Sequence, residues 1–423
     1  MRALTWQGKR KVSVETVPDP KIEEPTDAVV RITASGLCGS DLHLYEVMGP
    51  FLDPGDVLGH EPMGVVEEVG PDVTHLRPGD RVVVPFNISC GRCPMCRSGL
   101  QSQCETTQNR DTGFGASLFG YTKLYGQVPG GQAEYLRVPQ AHYGPIKVPD
   151  DVPDERYLYL SDVLPTAWQA VRYAGVTGGP SASSTGTTGT TGTTTGSAAA
   201  SSWTPVVDSL VVLGLGPIGD MCTRIARHLG VSTVIGIDPV PERRARAQAR
   251  GTTVIDPTSL DDSSDLVGAV RDLTAGRGAD AVIDAVGMEA HGSAAKAAHT
   301  FVGFLPDAVA EKMMRTMGVD RLTALHSAVD LVRRGGTISL SGVYGGAADP
   351  MPMLYMFDRQ LQLRMGQANV HRWVPEILPL LGDDDPLGVE GFATHHVPLD
   401  DAPAAYETFQ KKQDGAVKIV FHS

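Results

Sequence analysis

The chain has 423 residues, of which 41% are hydrophobic and 20% charged, and its formal net charge is -13. That length predicts two domains or one unusually large one, with a core that needs no disulfide support. Acidic residues spread along the chain argue against a nucleic-acid partner, which calls for a basic face.

The opening Met1-Arg-Ala-Leu-Thr-Trp-Gln-Gly lacks the apolar core of a signal peptide, and no apolar run approaches the roughly 20 residues of a membrane span. The expectation is a cytoplasmic protein with no membrane partner. Thiols stay reduced there, so six cysteines point to metal before disulfides.

Residues 1 to about 85 read as β-rich, with strand-like runs at 12–17, 28–34, 63–69 and 79–85 punctuated by Gly and Pro. No helical period is visible, so a small β-barrel or sandwich is expected. Within this part lie Gly36-Leu-Cys38-Gly-Ser40-Asp41-Leu-His43 and Gly59-His60-Glu61-Pro62. Cys38 and His60 are a soft thiolate and an imidazole, the pair zinc prefers. Singly, Cys38 reads as a small buried hydrophobe and His60 as a satisfied loop histidine. Clustered with Ser40, Asp41, His43 and Glu61 they read as part of a metal site. A catalytic zinc needs three protein ligands and an open position, so a third must lie further on.

Cys90, Cys93, Cys96 and Cys104 follow, with gaps of two, two and seven residues. That spacing fits a tetrahedral all-thiolate zinc closed by one loop, near 88–106. Four protein ligands leave no open position, so this ion should hold a lobe in place. An iron–sulfur cluster usually shows a different spacing. Residues 105–150 read as a long loop with short strands, rich in Gly and aromatics. A helix is expected after Pro165. Residues 181–202 contain only Ser, Thr, Ala and Gly and read as a flexible surface loop, since they bury too little apolar area to repay ordering.

From Asp208 to about Asn369 the pattern is strand–helix–strand. Apolar runs at 209–214, 234–238, 281–286, 336–342 and 362–365 suit parallel strands buried on both faces. The stretch 294–334 reads as mostly helical, and a last strand is expected at 416–421. Gly214-Leu-Gly216-Pro217-Ile218-Gly219 follows a strand and opens a helix, which is the context a dinucleotide fingerprint requires. The first Gly makes the turn, the second admits the pyrophosphate, and the third packs helix on strand. Asp238 stands 19 residues after Gly219, where a carboxylate accepts a ribose diol and repels a 2′-phosphate. NAD is therefore expected ahead of NADP, unless Arg243 and Arg244 reach the 2′ position. Gly342 and Val343, closing a later strand, are further expected cofactor contacts.

Taken in this order, the Cys-Gly-Ser-Asp and Gly-His-Glu segments, the four-cysteine loop and the fingerprint resemble the zinc-dependent alcohol dehydrogenases of the medium-chain dehydrogenase/reductase superfamily. The Asp-x-Leu-Pro-Thr run at 162–166 is similar to the formaldehyde dehydrogenase-like branch. The resemblance implies an α/β fold: a Rossmann doubly wound parallel sheet plus a GroES-like β-barrel catalytic domain. It implies a catalytic part at 1–162 and 368–423 around a nucleotide-binding part at 163–367, with an insertion at 177–204. It assigns Cys38, His60 and Asp162 to a catalytic zinc, giving two zinc ions per chain. It makes Ser40 the hydroxyl that takes the alcohol proton and His43 the surface imidazole that passes it to water. Asp41 stands behind His60, and Glu61 close behind the metal. Phe86 falls on the substrate wall, Thr166 and Ile218 at the nicotinamide, and Lys418 at a pyrophosphate contact.

The implied chemistry is hydride transfer between a zinc-bound primary alcohol or aldehyde and NAD, in a homodimer or homotetramer. Competing expectations are a polyol or amino-alcohol dehydrogenase, marked by an acidic and hydroxyl-lined pocket; a formaldehyde dismutase that retains its NAD; and a non-catalytic zinc-stabilised binding protein. A zinc-free quinone reductase of the same fold would lack the cysteines.

Overall fold

The computed structural model describes residues 1–423 except 151, 179–206, 262, 288–321 and 345–350. The expected low-complexity loop and most of the expected helical stretch at 294–334 therefore lie outside the described residues.

Two large sheets carry the fold. The first has seven strands in the order His395–Pro398, Ile419–His422, Ala28–Leu37, Glu61–Val69, Arg81–Val83 and Ile146–Lys147, with Tyr135–Val138 also pairing to Ala28–Leu37. The chain's last two strands thus return to its first part. The second sheet has six strands, all parallel, in the order Thr253–Ile255, Thr233–Ile237, Ser209–Leu213, Ala279–Asp284, Val332–Leu340 and Gln362–Met365. In chain order this is 3-2-1-4-5-6, the doubly wound topology whose ligands bind where the strand order reverses, beyond the strands' carboxyl ends. The apolar runs form strands here because both faces are covered: Leu210, Val211, Val212, Val282 and Ile283 are all buried.

A buried helix, Val163–Tyr173, joins the two parts. Its Val163, Leu164, Ala167, Trp168 and Val171 share one core with Met63 and Val83 of the first sheet and Leu210, Val212 and Ile283 of the second. The helix begins before Pro165, not after it. Asp162 is its N-cap residue, and Pro165 falls in the first turn, where a missing N–H leaves no broken bond. On its inner side, Gln169 is buried and binds the backbone of Gly366, Gln367 and Asn369 and the Trp373 indole.

The first part is not wholly β. A helix, Gly39–Glu46, interrupts it. Its buried face is made of Asp41 and His43 as well as Leu44 and Tyr45, so polar residues hide the apolar period that would reveal it.

Candidate active site

Strand register builds the centre of the site. Ala28–Leu37 and Glu61–Val69 run antiparallel with Gly36 opposite Glu61, so Cys38 and His60 leave adjacent strand ends side by side. Glycine at position 36 leaves room for the Glu61 carboxylate: a Cβ there would lie 2.0 Å from Glu61 Oε2 and push it aside. The helix Val163–Tyr173 then presents Asp162 from below. His60 Nε2 lies 3.3 Å from Asp162 Oδ2, and Cys38 Sγ lies 3.6 Å from the same oxygen. Tetrahedral coordination at ordinary zinc bond lengths puts nitrogen and oxygen about 3.4 Å apart and sulfur and oxygen about 3.6 Å apart. The donor set therefore fits the ion. Ligand atoms of Cys38, His60, Glu61 and Asp162 all lie within 4.8 Å of one another, and all four residues are buried.

Burial and the carboxylates set the electrostatics of this cluster. Burial, then the Asp162 carboxylate, pushes the Cys38 thiol up to about 11. Burial alone would lower His60, but Asp41 and Asp162 outweigh it and raise the imidazole well above its ordinary value. Asp162 is held below the ordinary carboxyl range, because its bond and charge interaction with His60 and its bond from Thr166 overcome the cost of burial. Asp41 is fully buried, with Oδ1 3.1 Å from His60 Nδ1, and its Oδ2 accepts the Cys38 N–H at 3.0 Å. A carboxylate there fixes the tautomer and orientation of His60.

Glu61 and Lys418 form a second buried layer. Lys418 Nζ donates to Glu61 Oε2 and, at 3.1 Å, to the Leu37 carbonyl. Both side chains are 0% exposed. This corrects the expectation of a pyrophosphate contact: Lys418 does not line the cavity and instead neutralises Glu61. His43 is corrected too. It is 7% exposed and lines the cavity rather than the surface. Ser40 Oγ stands 3.2 Å from His60 Nε2, the ring atom that faces Asp162, and also lines the cavity.

One cavity of about 760 Å³ connects these groups to the parallel sheet. Gly214, Gly216, Pro217, Ile218, Asp238, Arg243, Thr166, Gly342 and Val343 line its nucleotide end. Gly214 has φ +81°, and a Cβ on Gly219 would lie 1.7 Å from the Gly214 carbonyl oxygen. Asp238 accepts the backbone N–H groups of Leu215 at 2.7 Å and Val240 at 2.8 Å. Arg243 lies 3.8 Å from Asp238, whereas Arg244 is held by Asp256 and the Asp238 carbonyl. Of the two arginines, Arg243 is thus the one at the cavity.

At the other end, the cavity is lined by Phe86 together with Met48, Phe114, Leu118, Tyr121 and Tyr125. The sequence does not single out the last five, although Phe114, Leu118, Tyr121 and Tyr125 lie in the Gly- and aromatic-rich stretch. Gln132 was missed as well. It is fully buried, donates to the Gly36 carbonyl at 3.3 Å and to Asp41 at 3.4 Å, and accepts from the Tyr406 hydroxyl. The preceding Gly130-Gly131 pair was its one signal, since a Cβ on either would strike Leu58 or Pro62.

The four-cysteine loop stands apart from the cavity. Cys90, Cys93, Cys96 and Cys104 offer sulfurs all within 4.8 Å of one another, and none is in a disulfide. Cys93 Sγ and Cys104 Sγ are 4.0 Å apart, close to the ~3.8 Å edge of a zinc–thiolate tetrahedron. Burial would push the Cys90 thiol up, but bonds from Thr106 and from backbone N–H groups bring it down to about 6.

Among known proteins, residues 24–150 match the alcohol dehydrogenase GroES-like domain family and residues 217–303 match the zinc-binding dehydrogenase family. An uncharacterized zinc-type alcohol dehydrogenase-like protein of Bacillus subtilis is 36% identical over 424 residues, spanning 99% of both chains. The formaldehyde dismutase of Pseudomonas putida is 31% identical over 441 residues, spanning 96% of this chain and 94% of its own. Among solved structures, an alcohol dehydrogenase from Thermus sp. ATN1 superposes with a TM-score of 0.77 at 33% identity, covering 100% of this chain and 99% of that one.

Proposed function

The chain belongs to the zinc-type alcohol dehydrogenase family, and from that premise we propose that it transfers hydride between an apolar primary alcohol, or its aldehyde, and NAD. The observation that carries this is the shared cavity: Cys38, His60 and Asp162 sit between a glycine-rich nucleotide end and a wall of Phe86, Phe114, Leu118, Tyr121 and Tyr125. A polyol or amino-alcohol would need acidic and hydroxyl groups along that wall. Among the described residues, the acids lining the cavity are Asp162, within the metal cluster, and Asp238, at the ribose end, and the wall's hydroxyls are the phenols of Tyr121 and Tyr125.

The catalytic part is proposed to span 1–162 and 368–423, and the nucleotide-binding part 163–367. Two zinc ions per chain are proposed, one held by Cys38, His60 and Asp162 and one by Cys90, Cys93, Cys96 and Cys104. Bound at the first site, zinc supplies a Lewis acid that lowers the pKa of the substrate hydroxyl. Ser40 takes the alcohol proton at its Oγ and hands it to His43. Thr166 orients Asp162 through its hydroxyl and, with Ile218, bounds the space for the nicotinamide. Aromatic side chains exclude water from the reacting carbon.

A substrate panel tests the proposal. With NAD, kcat/KM for benzyl alcohol should exceed that for sorbitol or threonine by at least about a hundredfold, since one end of the cavity rewards apolar burial. Equal or better turnover of sorbitol would overturn the substrate class. Conversion of formaldehyde to methanol and formate without NADH release would favour dismutation.

NAD preference rests on Asp238. Asp238→Ser should raise the NADP-to-NAD ratio of kcat/KM by at least about tenfold, or ~1.4 kcal/mol, by removing the charge that repels a 2′-phosphate beside Arg243. An unchanged ratio would remove Asp238 from that role.

The chain is also proposed to be a homo-oligomer. Gln362–Met365 is an edge strand of the parallel sheet, Leu363 and Met365 are exposed on it, and Met353, Leu354, Tyr355 and Phe357 are exposed on the helix just before it. Among the described residues no strand pairs with its outer side, and an apolar edge of this kind invites a second copy. Sedimentation should give at least twice the chain mass of 44.9 kDa, and a monomer at micromolar concentration would contradict it.

A further inference from the structure

The geometry points to a third metal site, remote from the cavity, in which Glu155, His396 and His422 hold a divalent transition-metal ion such as zinc or nickel. The three residues come from three elements: the helix Asp154–Leu158, the strand His395–Pro398 and the strand Ile419–His422. The two strands are parallel neighbours, with His396 opposite Val420 and Pro398 opposite His422. Two residues along a strand return to the same face, so both imidazoles project from one side of the sheet, a diagonal step apart. Their rings stack with centroids 5.6 Å apart and 25° between planes.

The donor distances match an ion. His396 Nδ1 lies 3.3 Å from His422 Nε2 and 3.3 Å from Glu155 Oε1. Zinc bonded to nitrogen and oxygen at its ordinary 2.0–2.1 Å has tetrahedral edges of about 3.3–3.4 Å. All three donor atoms lie within 4.8 Å of one another. Two imidazoles select a first-row transition metal over magnesium or calcium, which take oxygen ligands. His422 and His396 are exposed, so water can complete the shell. His395 is engaged elsewhere, with Thr394 and Asp414, and takes no part. An ion here would tie the end of the chain to the helix that leads, through the turn Tyr159–Ser161, into Asp162.

The test titrates Ni²⁺ into the full-length, zinc-containing protein by calorimetry, with zinc content measured before and after. Wild type should take up one equivalent of nickel without releasing zinc. His396→Gln and His422→Gln should each weaken that uptake by at least about tenfold, since losing even a group that only supports a ligand typically costs that much, while His395→Gln should leave it unchanged. No uptake by wild type, or equal uptake by wild type and both variants, would overturn the site and leave the three residues as a surface hydrogen-bonded cluster. Because zinc at the other two sites is counted separately, failure here would not bear on the proposed dehydrogenase activity.

Discussion

Asp162→Ala should reduce bound zinc from two ions per chain to one and lower kcat/KM by at least about a thousandfold, or ~4 kcal/mol of transition-state stabilisation. Asp162 supplies the oxygen that stands 3.3 Å from His60 Nε2 and 3.6 Å from Cys38 Sγ. Without it two protein ligands remain in the set, and the carboxylate that holds Thr166 is lost with it. The four-cysteine site shares no residue with this cluster and should keep its ion. Metal analysis of the purified variant checks both halves of the expectation. A variant that retains two zinc ions and full turnover would show that Asp162 is not a ligand.

Lys418→Met should destabilise the protein by about 3–5 kcal/mol, the usual cost of removing one partner from a buried ion pair. Lys418 and Glu61 are both 0% exposed, and the methionine side chain fills similar space without the charge. Burial already pushes Glu61 above its ordinary value, and the Lys418 ammonium is the chief opposing influence. Without that ammonium, Glu61 either stays charged and unpaired or takes up a proton, and either state leaves the metal cluster without its balanced backing. Urea unfolding measures the loss. The double variant Lys418→Met with Glu61→Gln should recover part of it, because no uncompensated charge then remains. A single variant as stable as wild type would mean that the pair is not closed in solution.

These two residues also show what the sequence makes legible. The parallel strands are readable because strands covered on both faces need apolar side chains throughout, as in Leu210-Val211-Val212. The glycine loop is readable because Gly214 and Gly219 are forced by a positive φ and by a 1.7 Å approach to backbone. The helix Gly39–Glu46 is not, because Asp41 and His43 occupy its buried face and erase the apolar period. Asp162 carries no local pattern at all. It stands 124 residues from Cys38, and only resemblance brings the two together before the fold does. Lys418 fails for the same reason in reverse. Its partner Glu61 lies 357 residues away, joined by the register that sets Ile419 against Leu37, so a lone lysine beside a strand gives no hint that it is buried. The aromatic wall sits in a loop whose course no periodicity reveals.

The most direct measurement follows NADH absorbance with benzyl alcohol before chelation, after removal of the metal, and after zinc is restored. Turnover that disappears with the metal and returns with zinc is the predicted result. Turnover that persists in protein shown to hold no zinc at Cys38, His60 and Asp162 would contradict the central claim that this cluster activates the alcohol.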